Sequence, residues 1–125
     1  MIDVYRFADQ LPASENYNLI SQIQRAAVSI PSNIAEGAGR GSDGDFLKFL
    51  RNAIGSANEV DTLCLLAEDL NLVSADSSLQ LQAKIRHLAV KLHNFEAKLL
   101  ASANRQRYTR EHISDYIVDD PESDC

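Results

Sequence analysis

SSLQLQAKIRHLAVKLHNFEAKLLASA, residues 77–103, decides the fold. Its apolar residues Leu81, Ile85, Leu88, Leu92, Phe95 and Leu99 are spaced 4, 3, 4, 3, 4. That spacing lays one unbroken apolar seam along a helix, because side chains three and four apart share a helical face. Ser74 or Asp76 is placed to cap its start. The pattern predicts a helix over about 75–104. Two further stretches carry the same period. In DFLKFLRNAIGSANEVDTLCLLAEDLNL, residues 45–72, the stripe is Phe46, Leu50, Ala53, Ala57, Val60, Cys64, Ala67 and Leu70 or Asn71, and a helix is expected over 43–71. Ser42 stands three residues before Asp45, a capping-box spacing with Asp in place of Glu, and Asp43 and Asp45 suit the positive end of a helix dipole.

ENYNLISQIQRAAVSIPSNIAEGAGR, residues 15–40, is the third long segment, with Leu19, Ile23, Ala26 or Ala27, Ile30 and Ile34 on its apolar side. Ser14 is the expected N-cap and the helix is expected over 15–38. Pro31 lacks an N–H and crowds the carbonyl four residues back, so a kink is expected near Ala27–Pro31 rather than a stop, since Ile34 and Ala35 continue the stripe. The glycines of 37–44 mark the break before the next helix. Ahead of Pro12, Val4, Tyr5, Phe7 and Ala8 allow only a short helix over 2–10. Three long helices joined by short connections, preceded by a short one, form an all-α, antiparallel up-down-up-down four-helix bundle with a shortened first helix. The expected division is a bundle over 1–104 and an acidic, partly disordered tail over 105–125.

Composition agrees. The chain has 125 residues, 45% hydrophobic and 24% charged, with five glycines and three prolines. One domain is expected, and no apolar run nears the roughly 18 residues a membrane span needs. Asp3 and Asp9 with no apolar h-region argue against a signal peptide, so a cytosolic protein without a membrane partner is expected. Two cysteines, Cys64 and Cys125, show no metal or disulfide spacing. Long rods hold little core per residue, so some apolar surface is expected to wait for another subunit.

Net charge is -6, and residues 111–125 carry six acids and no Lys or Arg. Residues 43–70 hold six acids against Lys48 and Arg51, whereas 77–110 hold seven bases against Glu96. Pairing between neighbouring helices is one account. The other is a basic face for phosphates built on Lys84, Lys91, Lys98 and Arg105, which recur every seven residues, with Arg107 and Arg110. The acidic end and low pI weigh against nucleic acid.

Reaction chemistry has little to stand on. His87 and His93 lie on different sides of one helix, no Glu-x-x-His pattern supports a di-iron site, and no ligand cluster suits zinc. GAGRG at 37–41 follows no strand and precedes no Gly-Lys-Ser/Thr, so neither phosphate loop applies. No enzyme, cofactor or metal is expected. One polar set remains: Arg25, Ser29, Ser32 or Asn33, Glu36 and Arg40 flank the apolar stripe around Pro31, with Arg25 able to face Glu36 or Glu59. It forms either a structural network or a pocket for a small ligand or phosphate. Gly55, Ser56 and Ala57, small residues within one helix, suggest close approach of another backbone.

Residues 22–63, QIQRAAVSIPSNIAEGAGRGSDGDFLKFLRNAIGSANEVDTL, resemble the signature of the 23S rRNA intervening-sequence protein family. The matching positions are Gln22-Ile23, Arg25-Ala26-Ala27, Ser29-Ile30, Asn33 to Gly37, Arg40, Phe46, Phe49-Leu50, Gly55-Ser56 and Glu59, with weaker resemblance from about Val4 to Leu100. The resemblance implies a four-helix bundle assembling into a homopentameric ring. The family takes its name from reading frames inserted in ribosomal RNA genes, which is a gene location. A related branch, the accessory proteins of diversity-generating retroelements, is basic and works with reverse transcriptase and RNA. The first helix of the family is longer; here Val4-Tyr5, Leu11-Pro12 and Tyr17 match only its last turns. Together these readings give a self-assembling scaffold or adaptor, with a nucleic-acid-associated module as the alternative.

Overall fold

The computed structural model describes residues 2–118, with side chains to residue 113. Four α-helices run through the described residues: α1 Ile2–Ala8, α2 Leu19–Ala38, α3 Asp43–Asp69 and α4 Ala75–Val118, with a 3-10 turn at Ala13–Glu15. No strand occurs among these residues, and no helix is long and apolar enough to cross a membrane.

Local chemistry sets most of the boundaries. Ser42 Oγ accepts the Asp45 N–H at 3.2 Å and caps α3 as its spacing predicts. Ser74 Oγ accepts the Ser77 N–H at 3.1 Å, so Ser74 rather than Asp76 caps α4. α3 ends on a Schellman arrangement: the Leu72 N–H bonds the Ala67 carbonyl at 2.9 Å and the Asn71 N–H bonds that of Glu68 at 2.9 Å. Asn71 takes the left-handed conformation this needs, φ 57, a role in which Asn is the usual substitute for Gly. The expected helix to 71 therefore stops at Asp69.

Two other boundaries differ more. α2 begins at Leu19, not 15, because Ala13–Glu15 is spent on the 3-10 turn; Ser14 caps nothing, and the Glu15 carboxylate instead takes the Leu19 N–H at 3.5 Å and the Asn18 amide at 3.1 Å. α4 does not end near 104. It runs 44 residues to Val118, about 66 Å, through ground that was expected to be tail. The apolar seam fades after Leu99, but nothing in 104–118 breaks a helix: there is no Gly or Pro, and Arg107–Glu111 adds an i,i+4 pair at 2.9 Å. The acidic residues 119–125, Cys125 and their expected disorder lie outside the described residues.

The core is made by the predicted stripes. Leu19, Ile23, Ala26, Ala27 and Ile30 of α2, Leu50, Ala53, Ala57, Val60, Cys64 and Ala67 of α3, and Leu81, Ile85, Leu92 and Leu99 of α4 are all buried. Leu47 and Ile54 widen the α3 stripe on one side and Leu63 on the other. α3 packs against both α2 and α4, whereas no Cα of α2 comes within 8 Å of a Cα of α4 among the described residues. The pairs that tie α3 to α4 are Asp43–Ser102, Arg51–Glu96, Asp61–Arg86 and Cys64–Ser78. α1 bridges α2 and α4 at one end only, burying Val4, Phe7 and Ala8.

Candidate functional site

The polar set around Pro31 divides into three parts. At its centre, the Asn33 side-chain amide donates to the Ser29 carbonyl at 2.8 Å and to Ser29 Oγ at 2.9 Å. Ser56 of α3 donates its hydroxyl to the same Ser29 Oγ at 2.8 Å. Ser29, Asn33 and Ser56 are all half-buried, so this chain of hydrogen bonds fastens α2 to α3 in one register. Pro31 withholds the donor that the Ala27 carbonyl would otherwise receive, yet Asn33 serves Ser29, not Ala27. The helix passes through Pro31 without interruption, with Pro31 on its exposed side.

Arg25 makes no ion pair with Glu36 or Glu59. Its nearest polar partner is Ser21 Oγ at 3.5 Å, and both Arg25 and Glu59 are exposed. A groove of about 440 Å³ runs between them over Ser29 and Ser56, with Tyr17 at its end. Glu36 turns the other way and pairs with Arg40 at 2.7 Å, whose guanidinium lies 4.8 Å from the Phe49 ring centre. Ser32 is exposed and joins neither group.

The small residues of α3 do not act as a unit. Gly55 meets nothing: a Cβ there would stand in open space. The expected close packing at Gly55 is therefore absent, while Ala57 is fully buried and Ser56 works through its hydroxyl. The glycine that close packing requires is Gly37, which sequence reasoning placed in a flexible turn. A Cβ at Gly37 would sit 2.9 Å from Phe46 Cδ1 and 2.9 Å from Phe49 Cβ. The sequence signal was available: Gly37 falls three residues after Ile34, on the apolar side of α2.

The basic line of α4 is only partly committed. Lys84 pairs with Asp3 of α1 at 3.0 Å, and this bond holds the Asp3 carboxyl below its ordinary range. Arg107 pairs along its own helix with Glu111. Lys91, Lys98, Arg105 and Arg110 are exposed and make no ion pair among the described residues. Asp61 turns to Arg86 at 3.5 Å rather than to the lysine line; its Oδ1 is buried and has no hydrogen bond, so this ion pair is its main compensation. Arg51 bonds Glu96 at 3.1 Å and His93 approaches the same carboxylate at 3.3 Å, so Glu96 is held low, first by Arg51 and then by His93.

Burial, reinforced by the Asp61 charge, pushes the Cys64 thiol up to about 12, far from the thiolate range. Among the described residues, no group of three His, Cys, Asp or Glu side chains stands close enough to hold a metal.

These features define an all-α protein whose most distinctive polar and small residues, Ser29, Asn33, Gly37 and Ser56, join α2 to α3. The chain belongs to the 23S rRNA-intervening sequence protein family, whose model matches residues 1–94. That match takes in α1, α2, α3 and the first part of α4, and leaves the distal part of α4 outside. Comparison with curated proteins yields no matching relative.

Proposed function

We propose that this protein is a non-enzymatic, self-assembling helical scaffold or adaptor: an antiparallel up-down-up-down bundle whose copies close into a ring, with five copies as the family resemblance suggests. The observation that carries this is a second apolar line on α4. Leu79, Ala83, Val90, Ala97, Ala101 and Tyr108 follow each other at spacings of 4, 7, 7, 4 and 7 on the side away from the buried seam. All six are exposed, Leu79 at 58%, Val90 at 59% and Tyr108 at 61%, and the line is interrupted by Arg86, drawn toward Asp61, and by Asn94 and Asn104. A helix apolar on two opposite sides is suited to bury both. One side serves α3 and the other is free for a neighbour. Val90→Glu tests this. Sedimentation velocity should show smaller particles for the variant at unchanged helicity; wild-type chains sedimenting as monomers at micromolar concentration overturn the reading.

A second reading, association with nucleic acid, draws support from the uncommitted cations Lys91, Lys98 and Arg105 on one line of α4. Such binding would weaken steeply with added salt. Filter binding at 50 mM salt tests it, and no retention of RNA or DNA there dismisses it.

A further inference from the structure

The groove of about 440 Å³ over Ser29 and Ser56 carries opposite charges on its two walls and leaves both uncommitted. Two contacts fix how those walls stand. Gly37 of α2 meets Phe46 and Phe49 of α3, and Ser29 of α2 meets Ser56 of α3. Each step back along α2 is therefore matched by a step forward along α3. Arg25 lies four residues before Ser29 and Glu59 three residues after Ser56, rises of about 6 Å and about 4.5 Å. The two charged side chains thus leave their helices at nearly the same level, one on each side of the groove.

Neither charge is answered within the described chain. The Arg25 guanidinium has five N–H donors, and its contact with Ser21 Oγ, at 3.5 Å, is at the limit of a hydrogen bond. Arg25 and Glu59 take part in no ion pair among the described residues. The other side chains lining the groove are neutral. At its floor, Asn33 donates to Ser29 Oγ at 2.9 Å, and the Ser29 and Ser56 hydroxyls share one bond of 2.8 Å. Two O–H groups that share one bond leave one O–H over. Both hydroxyls line the groove, so this donor is offered there, held in place by Asn33. Gln22 Nε2 donates to Asn18 Oδ1 at 2.9 Å, which leaves the Gln22 carbonyl oxygen as an acceptor.

We propose that this groove binds a small zwitterion of the amino-acid class. Its carboxylate lies on the Arg25 guanidinium and the remaining serine O–H, and its ammonium on the Glu59 carboxylate and the Gln22 oxygen. Charge balance selects this class. A guanidinium takes a carboxylate through two parallel N–H bonds. A lone phosphate at Arg25 would bring more than one negative charge opposite Glu59, and a lone cation at Glu59 would face Arg25. A ligand with one charge of each sign meets an opposite charge on both walls. Tyr17, fully exposed at the end of the groove, offers a ring and a hydroxyl to the remainder of such a ligand. No residue of α4 lines the groove, so the site is separate from the apolar line on which assembly is proposed.

Calorimetry on the full-length chain tests this with L-glutamine and γ-aminobutyrate, whose charges differ in spacing, against acetate, ethylammonium and inorganic phosphate. At least one zwitterion should saturate the protein at about 1 mM or below, and each of the other three probes should bind at least about tenfold more weakly. Arg25→Gln and Glu59→Gln place a good helix former at an exposed position, and each should weaken the zwitterion at least about tenfold at unchanged helicity and particle mass. Arg25→Glu with Glu59→Arg restores one charge of each sign and should bind the zwitterion more tightly than either Gln variant. The comparison of probes on wild type holds whether or not a variant folds. No saturation by either zwitterion at about 10 mM overturns the proposal. Phosphate bound as tightly as the zwitterions, and unaffected by Glu59→Gln, overturns it in favour of a simple anion seat. If neither zwitterion binds and the Gln variants form smaller particles, the groove is a contact between copies and the proposal fails while self-assembly stands.

Discussion

Two glycines of opposite character provide a sharp test of how α2 and α3 meet. Gly37→Ala places a methyl group 2.9 Å from Phe49 Cβ and 3.3 Å from the Phe46 carbonyl oxygen. Phe46 Cδ1 can swing aside, but Phe49 Cβ and the Phe46 carbonyl move only with α3 itself. Overpacking of this kind costs about 1–3 kcal/mol. The helix-propensity gain of replacing Gly, at most about 1 kcal/mol in a helix interior, is smaller here because Gly37 lies in the last turn of α2. The net expectation is a loss of about 1–2 kcal/mol. Gly55→Ala meets nothing, lies in the middle of α3 and is exposed, so the propensity term acts alone and stabilises by up to about 1 kcal/mol. Urea unfolding followed by helical circular dichroism, at one fixed protein concentration, measures both as shifts in midpoint at constant slope. A neutral or stabilising Gly37→Ala, or a Gly55→Ala that destabilises as much, refutes the assignment of Gly37 as the close-contact residue.

Other outcomes follow from the same contacts. Asn33→Ala removes the donor to Ser29 and leaves the partner hydroxyl half-buried, and should cost about 1–2 kcal/mol in the same unfolding assay; full stability with a lost binding activity would point to a ligand pocket instead. Ser42→Ala removes the α3 cap and should cost about 1 kcal/mol, while Ser14→Ala should cost nothing measurable because Ser14 caps no helix. Glu96 is held below its ordinary value of 4.5 in the folded protein, so its contribution is present above that value and lost as pH falls below it. The acid side of a stability–pH profile should accordingly flatten in Glu96→Gln, and an unchanged profile would contradict the Arg51–Glu96 pairing. In a Cys125→Ser background, Cys64 should react with a thiol reagent at pH 8 only as fast as the protein unfolds, since it is buried and its thiol is pushed up to about 12.

Much of this fold can be read from period alone. Most of the seam Leu81–Leu99, of the α3 stripe and of the α2 stripe is buried where hydrophobic spacing places it, because burial against neighbouring helices leaves little choice of face; Phe95, Leu70 and Asn71 are exposed, and Leu88, Phe46 and Ile34 only partly buried. The Ser42 cap is equally legible. What escaped depends on particulars that periodicity does not carry. The start of α2 turns on a 3-10 turn whose residues, Ala13, Ser14 and Glu15, also suit a helix start. The length of α4 escaped because the loss of an apolar seam was read as the loss of a helix, although Asn104–Val118 contains no breaker. At the polar set, spacing put Arg25 beside Glu36 and Glu59, yet long exposed side chains choose partners by small energies, and Glu36 found Arg40 four residues on. The role of Gly37 was legible from its place three residues after Ile34 on the apolar side of α2, but the run of glycines at 37–44 reads first as a break, whereas Gly55, alone among small residues inside a helix, reads first as a packing site.

The central claim is that α4 offers more apolar surface than one copy can cover. The mass of the wild-type particle under native conditions at micromolar concentration tests it most directly. The account predicts a discrete multiple of the 13.8 kDa chain, five copies on the ring reading. A single species at the mass of one chain, helical and stable with Val90 and Leu79 still facing water, would contradict it.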